Sequence, residues 1–172
     1  MEITLVAAMD QRRVIGRTSG GGIPWKLPVE AALFRDYCRG KVVLVGRVTY
    51  LEMIGWFERV GAHPLVLSTK KLSERICTIG HPAEIPEAAY AIHPDCREVV
   101  VAGGGRTYAA TLSMATRMLL TEVRGSFQGD VNFPEFEEQD WTVVRKTHYP
   151  RNLENSSGFT VIERVRSLHS PH

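Results

Sequence analysis

The 172-residue sequence lacks the features that mark several classes of protein. Its three cysteines, Cys38, Cys77 and Cys96, have no paired spacing, and its six histidines show no spacing typical of metal ligands. This argues against a disulfide framework and against a zinc site, so we expect no metal. The same cysteine usage favours a reducing, cytoplasmic compartment.

Long apolar runs and blocks of like charge are also missing. No stretch approaches the roughly 20 apolar residues of a membrane span, and the first eight residues are too short for a signal peptide. The net charge is only +2, and the basic residues are scattered along the chain. We therefore expect no membrane or nucleic-acid partner. We also expect a monomer.

The sequence does have short apolar runs, rich in β-branched residues, that alternate with helical segments. Such alternation predicts an α/β fold with a mostly parallel central sheet, flanked by helices on both faces. A hairpin predicted over residues 141–148 and 159–166 adds an antiparallel C-terminal strand. We expect a single domain over residues 1–166 and a disordered tail over residues 167–172.

The predicted elements can be placed along the chain. Strands are predicted over 3–8, 41–46, 64–69, 76–79, 98–102 and 118–123, and helices over 28–39, 47–54 and 86–92. The glycine turn over 103–108 leads into a further helix that ends at 112. Two connections are predicted to be irregular, a glycine-rich segment over 9–22 that suits a moving lid, and a second over 56–63.

The run from Ile23 to Phe34 opens a helix at Pro28, because proline is tolerated at the first helical position. Glu30 falls in its first turn, among unpaired backbone N–H groups, and Phe34 follows one turn later on the same face. We interpret the acid and the aromatic ring as one wall of a cavity with Trp25 at its mouth. The simpler alternative is a solvated Glu that only complements the helix dipole.

Two turns share a plan of strand, glycine, arginine and a Thr-Tyr pair: Gly46-Arg47-Val48-Thr49-Tyr50 and Gly103-Gly104-Gly105-Arg106-Thr107-Tyr108. Glycines at a helix N-terminus let backbone N–H groups approach a phosphate, and ligands bind at the carboxyl ends of parallel strands. We infer a shared dinucleotide pyrophosphate site. The alternative is that the glycines only turn the chain.

A third strand end carries Ser68, Thr69 and Lys70. Two hydroxyls and a cation near Arg47 suit a ribose 2′-phosphate, which favours NADPH over NADH. The alternative is an ordinary solvated strand end.

In this order and spacing, the motifs resemble the dihydrofolate reductase family along nearly the whole chain. The matching pieces are Val6-Ala7-Ala8, Val14-Ile15-Gly16, Pro24-Trp25-x-Leu27-Pro28-x-Glu30-x-x-x-Phe34, Gly46-Arg47-x-Thr49, Leu67-Ser68-Thr69, Gly103-Gly104-Gly105-Arg106-x-Tyr108, Leu120-Thr121 and Gly129-Asp130-x-x-Phe133-Pro134.

The resemblance implies NADPH-dependent reduction of 7,8-dihydrofolate to tetrahydrofolate, with hydride transfer to pterin C6 and protonation at N5. It also implies that antifolates are inhibitors. It implies roles in catalysis for four residues. Glu30 binds the pterin, and Thr121 is the hydrogen-bonding partner of Glu30 through water. Trp25 holds a water near Glu30, and Ile23 is the lid residue over the nicotinamide.

The resemblance also implies two sets of binding residues, and a cis peptide between Gly103 and Gly104. The substrate set is Val6, Ala7, Glu30, Ala31, Phe34, Ala102 and Thr121. The NADPH set is Ala7, Ile15, Gly16, Gly46, Arg47, Thr49, Ser68, Thr69, Gly104, Gly105, Arg106, Thr107 and Tyr108.

The sequence departs from the family at the end of the site that holds the glutamate tail of folate. The family usually has an arginine there, whereas this chain has Ala62, with Arg59 or a protonated His63 as candidate substitutes. Alanine cannot clamp a carboxylate, and Ala102 is smaller than the branched residue often found at its position. We therefore hypothesise weakened antifolate binding.

The sequence is also compatible with two alternatives. One is a reductase of the riboflavin-pathway type, or of another pterin, with the same fold. The other is a non-catalytic nucleotide-binding module, which would keep the two Gly-Arg turns but need no buried acid.

Overall fold

The computed structural model describes residues 1–18 and 22–167 of the chain. Ser19, Gly20 and Gly21 of the predicted lid lie outside the described residues, as do residues 168–172 of the predicted tail. Ser167 is described, and its N–H donates to the carbonyl of Asp140 at 2.8 Å.

The described chain contains ten strands and five α-helices. The strands are β1 (Glu2–Met9), β2 (Val14–Gly16), β3 (Val42–Gly46), β4 (His63–Leu67), β5 (Thr78–Ile79), β6 (Glu98–Val101), β7 (Arg117–Val123), β8 (Val131–Asn132), β9 (Trp141–Tyr149) and β10 (Phe159–Arg166). The helices are α1 (Pro28–Cys38), α2 (Arg47–Glu52), α3 (Trp56–Val60), α4 (Ile85–Ile92) and α5 (Gly105–Thr111). Single 3₁₀ turns occupy Pro82–Glu84, Leu112–Met114 and Glu138–Asp140.

Eight of the strands form one sheet in the order β5-β4-β3-β6-β1-β7-β10-β9. The pairs from β5 to β7 are all parallel, whereas β10 pairs antiparallel with both β7 and β9. The predicted α/β architecture is therefore confirmed, and the carboxyl ends of the parallel strands meet at one edge of the sheet, where open α/β folds bind ligands.

The two faces of the sheet carry separate apolar layers, because side chains alternate along each strand. Leu5 and Ala7 of β1 belong to the layer beneath α4 and α5. Val6 belongs to the opposite layer, together with residues of α1 and α3. Each fully buried side chain such as Leu5, at 0% exposure, stabilises the fold by roughly 2 kcal/mol.

The largest local difference from the prediction is α3, which was predicted as an irregular connection. Gly55 (φ 79°) and Gly61 (φ 74°) both adopt the left-handed region and bound this five-residue helix. Phe57 and Val60 are buried beneath it. A helix this short shows no apolar period, so only the two flanking glycines could have indicated it.

Two smaller differences concern strand ends. β4 ends at Leu67, because the Ser68 hydroxyl accepts the Lys70 N–H at 3.0 Å and turns the chain. The segment predicted as the start of a lid contains β2, which pairs with β8 in a separate two-stranded ribbon.

Candidate active site

Glu30 lies in the first turn of α1, as predicted. Pro28 is the first helical residue, and the first intrahelical bond runs from the Ala31 N–H to the Leu27 carbonyl at 3.0 Å. Leu27 occupies the N-cap position without a side-chain cap. The α1 amino terminus therefore places one carboxyl over the sheet at the carboxyl ends of β1 and β7.

The structure brings Glu30 and Thr121 together. The Thr121 hydroxyl donates to Glu30 Oε1 at 3.4 Å, and Thr121 is only 5% exposed. Burial of the carboxyl raises the pKa of Glu30 to about 7, although the hydroxyl bond favours the charged form and opposes that shift. At neutral pH this carboxyl is thus poised between its protonated and ionised forms, as a group that exchanges protons should be.

Three apolar residues of the predicted substrate set share the wall beside Glu30. Val6, Phe34 and Ala102 all belong to the apolar layer on the α1 side of the sheet. Ala7 has its side chain in the opposite layer, so it can meet a ligand on this wall only through its backbone. Ala8 was not among the predicted site residues, yet it pairs with Thr121 in the β1–β7 register.

Trp25 lies beside the start of α1. Its ring meets the ring of Phe127 edge-on, with centroids 5.2 Å apart. Its indole Nε1 is buried and has no hydrogen-bond partner among the described residues. Ile23, two residues earlier, is 53% exposed, and Ala31 is exposed on the following turn.

The two glycine turns interlock at the same edge of the sheet. The Gly46 N–H donates to the Gly103 carbonyl at 2.7 Å, and the peptide between Gly103 and Gly104 is cis, as predicted. A Cβ on Gly46 would lie 2.7 Å from Thr107 Oγ1, and one on Gly104 would lie 3.2 Å from Thr49 Oγ1. The glycines are therefore needed because each turn packs a threonine against the other.

Among the described residues, no carboxylate forms an ion pair with either arginine that follows these glycines. Arg47 and Arg106 are exposed, and the guanidinium group of neither enters a hydrogen bond or ion pair within residues 1–18 and 22–167. The neighbouring Thr107 and Tyr108 are buried, and the Tyr108 hydroxyl donates to the Val6 carbonyl at 2.7 Å. Tyr108 thus ties the start of α5 to β1.

The β2–β8 ribbon covers the start of α5. A Cβ on Gly105 would lie 3.0 Å from the Asn132 carbonyl oxygen and 4.0 Å from Ile15 Cδ1. Gly16 follows Ile15 at the end of β2 and accepts the Asp130 N–H at 3.2 Å. The structure therefore brings Ile15, and with it Gly16, to the Gly105 turn.

Ser68 and Thr69 follow the carboxyl end of β4. The β3–β4 register pairs Gly46 with Leu67, so the residues after each, Arg47 and Ser68, leave adjacent strands at the same edge. Ser68 is half-buried and Thr69 is exposed.

The far end of α1 is aromatic. Phe34 stacks on Trp56 of α3, with ring centroids 5.3 Å apart and planes 22° apart. Ala62 is buried at 7% exposure. His63 stands next to His93, with ring centroids 5.6 Å apart, on the α4 side of the sheet, away from Phe34. Arg59 is exposed on α3.

Among the described residues, no group of three or more His, Cys, Asp or Glu side chains could hold a metal ion. None of the described helices is long and apolar enough to cross a bilayer.

Comparison with known proteins identifies one family. Residues 2–166 match the family model described as dihydrofolate reductase. The chain is 32% identical over 168 residues to dihydrofolate reductase type 3 of Salmonella typhimurium, covering 96% of this chain and 100% of that protein. It is 37% identical over 145 residues to dihydrofolate reductase type A13 of Escherichia coli, covering 84% of each.

A solved structure shares the fold. Dihydrofolate reductase from Enterococcus faecalis, complexed with NADP(H) and RAB-propyl, superimposes with a TM-score of 0.82 at 23% identity, covering 96% of each chain.

Proposed function

The chain belongs to the dihydrofolate reductase family, and we propose that its active site is the cleft walled by Glu30 and Thr121. The chain is an NADPH-dependent oxidoreductase that reduces 7,8-dihydrofolate to 5,6,7,8-tetrahydrofolate. The single observation that best supports the site is the half-buried Glu30 carboxyl, which accepts a hydrogen bond from the buried Thr121 hydroxyl at 3.4 Å. The riboflavin-pathway and non-catalytic alternatives are not favoured, because the matched family and the relatives carry dihydrofolate reductase names.

The interlocked glycine turns fit a dinucleotide. Their close packing leaves backbone N–H groups at the starts of α2 and α5, and Arg47 and Arg106 offer two guanidinium groups that no acid neutralises. We assign the pyrophosphate and 2′-phosphate to these groups together with Thr49, Ser68 and Thr69. NADPH bound there supplies the hydride that goes to pterin C6.

The remaining members of the proposed NADPH set contact NADPH or support the residues that do. Gly46, Gly104 and Gly105 keep the backbone open, and Thr107 and Tyr108 fix the two turns. Ala7, Ile15 and Gly16 extend the set toward the nicotinamide.

Glu30 orients the substrate. A carboxylate in an apolar cleft attracts the amino group and ring N–H of a pterin more strongly than it would in water. Thr121 fixes that carboxylate by its hydroxyl. The buried indole N–H of Trp25 is a donor in need of an acceptor. A water there would accept the proton of the protonated Glu30 carboxyl and pass a proton to N5, which leaves Glu30 ionised.

The apolar wall completes the proposed substrate site. Val6, Phe34 and Ala102 would contact the pterin and the aromatic ring that follows it, Ala31 would border the opening, and Ile23 would close over the nicotinamide. Ala7 would contribute its carbonyl alone.

We retain three further expectations as proposals: a monomer, a cytoplasmic location, and weakened binding of antifolates. A trimethoprim inhibition curve as tight as that of a typical bacterial enzyme would contradict the last of them.

The test is NADPH oxidation with dihydrofolate, comparing the wild type with Glu30→Gln. Loss of a proton-exchanging carboxyl should lower kcat/KM by about 10²-fold or more, with the NADPH affinity unchanged. Turnover of dihydrofolate by the variant at the wild-type rate would contradict the proposed role of Glu30. Wild-type activity with a ribosylamino-pyrimidine, and none with dihydrofolate, would contradict the proposed function.

A further inference from the structure

The amino terminus of α1 is held by a residue from the opposite end of the chain. The side-chain Oδ1 of Asn155 accepts the Val29 N–H at 3.3 Å, across 126 residues of sequence. Val29 is the second residue of α1, and its N–H is one of the donors that a helix cannot satisfy internally. Since Leu27 provides no side-chain cap, Asn155 takes over the function of an N-cap from outside the helix.

Asn155 is itself rigidly placed, in the loop over residues 150–158 between β9 and β10. It is 1% exposed, its N–H donates to Asn152 Oδ1 at 2.7 Å, and its carbonyl accepts the Asn152 N–H at 3.2 Å. The neighbouring Ser156 hydroxyl donates to the Lys26 carbonyl at 3.0 Å. The loop is thus docked on the segment that leads into α1.

This cap lies one residue from Glu30. The Glu30 carboxyl meets Thr121 at 3.4 Å, a long hydrogen bond that a small displacement of the first helical turn would break. A backbone bond at Val29 fixes that turn relative to the sheet, because the loop carrying Asn155 continues directly into β10, which pairs with β7 and Thr121.

We propose that Asn155 is a positioning residue for the reaction: its side-chain oxygen caps α1 and thereby fixes Glu30 against Thr121. Asn155 does not touch the substrate in this role. It acts through the backbone of Val29, so what matters is an acceptor oxygen at this position. The inference rests on the function proposed for Glu30.

The experiment compares three variants of the full chain. Asn155→Ala removes the acceptor, Asn155→Asp keeps an oxygen of the same reach, and Leu153→Ala changes a fully exposed side chain of the same loop as the matched control. Hydride transfer is followed in single turnover with NADPH and dihydrofolate, using deuterated NADPH to show that the step observed is the chemical one.

We expect Asn155→Ala to slow hydride transfer about tenfold, because misplacement of a catalytic group by a fraction of an ångström is costly. Its affinity for NADPH should not change, and Asn155→Asp should recover the rate to within about threefold. An Asn155→Ala rate equal to that of Leu153→Ala would overturn the proposal even if the variant melts at a lower temperature. So would an Asn155→Asp variant as slow as Asn155→Ala.

A second readout does not depend on turnover. The Val29 amide proton should exchange with solvent at least about tenfold faster in Asn155→Ala than in Leu153→Ala, since only the former loses its acceptor. Unchanged Val29 exchange overturns the proposal. A wild type that fails to reduce dihydrofolate would instead contradict the proposed function, while the exchange measurement would still decide whether Asn155 caps α1.

Discussion

The two ends of the proposed substrate site along α1 are built on different physical principles. At the amino end, one half-buried carboxyl is held by Thr121, and its pKa is raised to about 7 by burial. At the far end, Phe34 and Trp56 stack, the cation nearest in sequence, Arg59, is exposed, and Ala62 is buried. The first end presents one carboxyl in an apolar setting, whereas the second end offers mainly apolar area.

The comparison indicates where specificity resides. Electrostatic interactions strengthen as water is excluded, so the Glu30 end should discriminate strongly between ligands. Exposed charges are screened and contribute little, so the Trp56 end should tolerate different tails on the substrate. Four predictions test this difference, from the largest expected effect to the smallest.

The pH dependence of hydride transfer tests the charged end. We expect the rate to be constant below about pH 6 and to fall about tenfold per pH unit above pH 7, because it follows the protonated fraction of a group with a pKa of about 7. Stopped-flow measurements from pH 5 to 9 check this. Glu30→Gln is the control and should lose the inflection; a flat wild-type profile would contradict the assignment.

Glu30 should also lower the stability of the fold at alkaline pH. Its pKa is raised from 4.5 to about 7 on folding, so the folded state binds the proton more tightly. The stabilisation is present below pH 4.5 and is lost as the pH rises through 7. We expect Glu30→Gln to be about 2 kcal/mol more stable than the wild type at pH 8.

Urea unfolding of Glu30→Gln and wild type at pH 4 and pH 8 measures this effect. The two proteins should have similar free energies of unfolding at pH 4. If the variant is no more stable at pH 8, the carboxyl is solvated and the proposed character of this end is wrong.

Trp56→Ala tests the apolar end. Loss of the stack on Phe34 should raise KM for dihydrofolate about fivefold, with kcat little changed, because an aromatic pair contributes roughly 1 kcal/mol beyond its area. Steady-state kinetics check this, with Tyr90→Ala, an exposed ring on α4, as the matched control. A large fall in kcat would show that this end also orients the reacting ring.

Arg59→Ala should have the smallest effect. An exposed cation that meets the carboxylates of the folate tail is worth at most about 1 kcal/mol, so KM should rise about two- to threefold at low salt. With 7,8-dihydropteroate, which lacks the tail, the variant and the wild type should be equal. If Arg59→Ala raised KM equally for both substrates, Arg59 would not interact with the tail.

The helices and strands were predictable wherever one segment carried its own signal. Pro28 fixed the start of α1, and the β-branched run over β3 indicated a buried strand, because such residues suit a pleated and buried position. The helix α3 was missed because five residues are too few to show a period. The ribbon of β2 and β8 was missed because its two strands are three and two residues long and pair across more than a hundred residues.

The candidate site was predictable to the extent that its residues share local motifs. The two Gly-Arg turns were identified by their similar order of residues, and the structure adds that each packs a threonine on the other's glycine. Ala7 and Ala8 illustrate the limit. The family resemblance implied Ala7 for the substrate wall, and the register of β1 with β7 adds that Ala8 lies beside Thr121.

The sequence by itself determined the order of elements, the parallel sheet and the identity of the acid at the start of α1. These follow from periodicity, proline and glycine, which act over a few residues. Only the tertiary structure decided that Glu30 meets Thr121, that its pKa lies near 7, and that Asn155 caps its helix. Those properties depend on burial and on hydrogen bonds between residues 91 and 126 positions apart, and no local pattern carries that information.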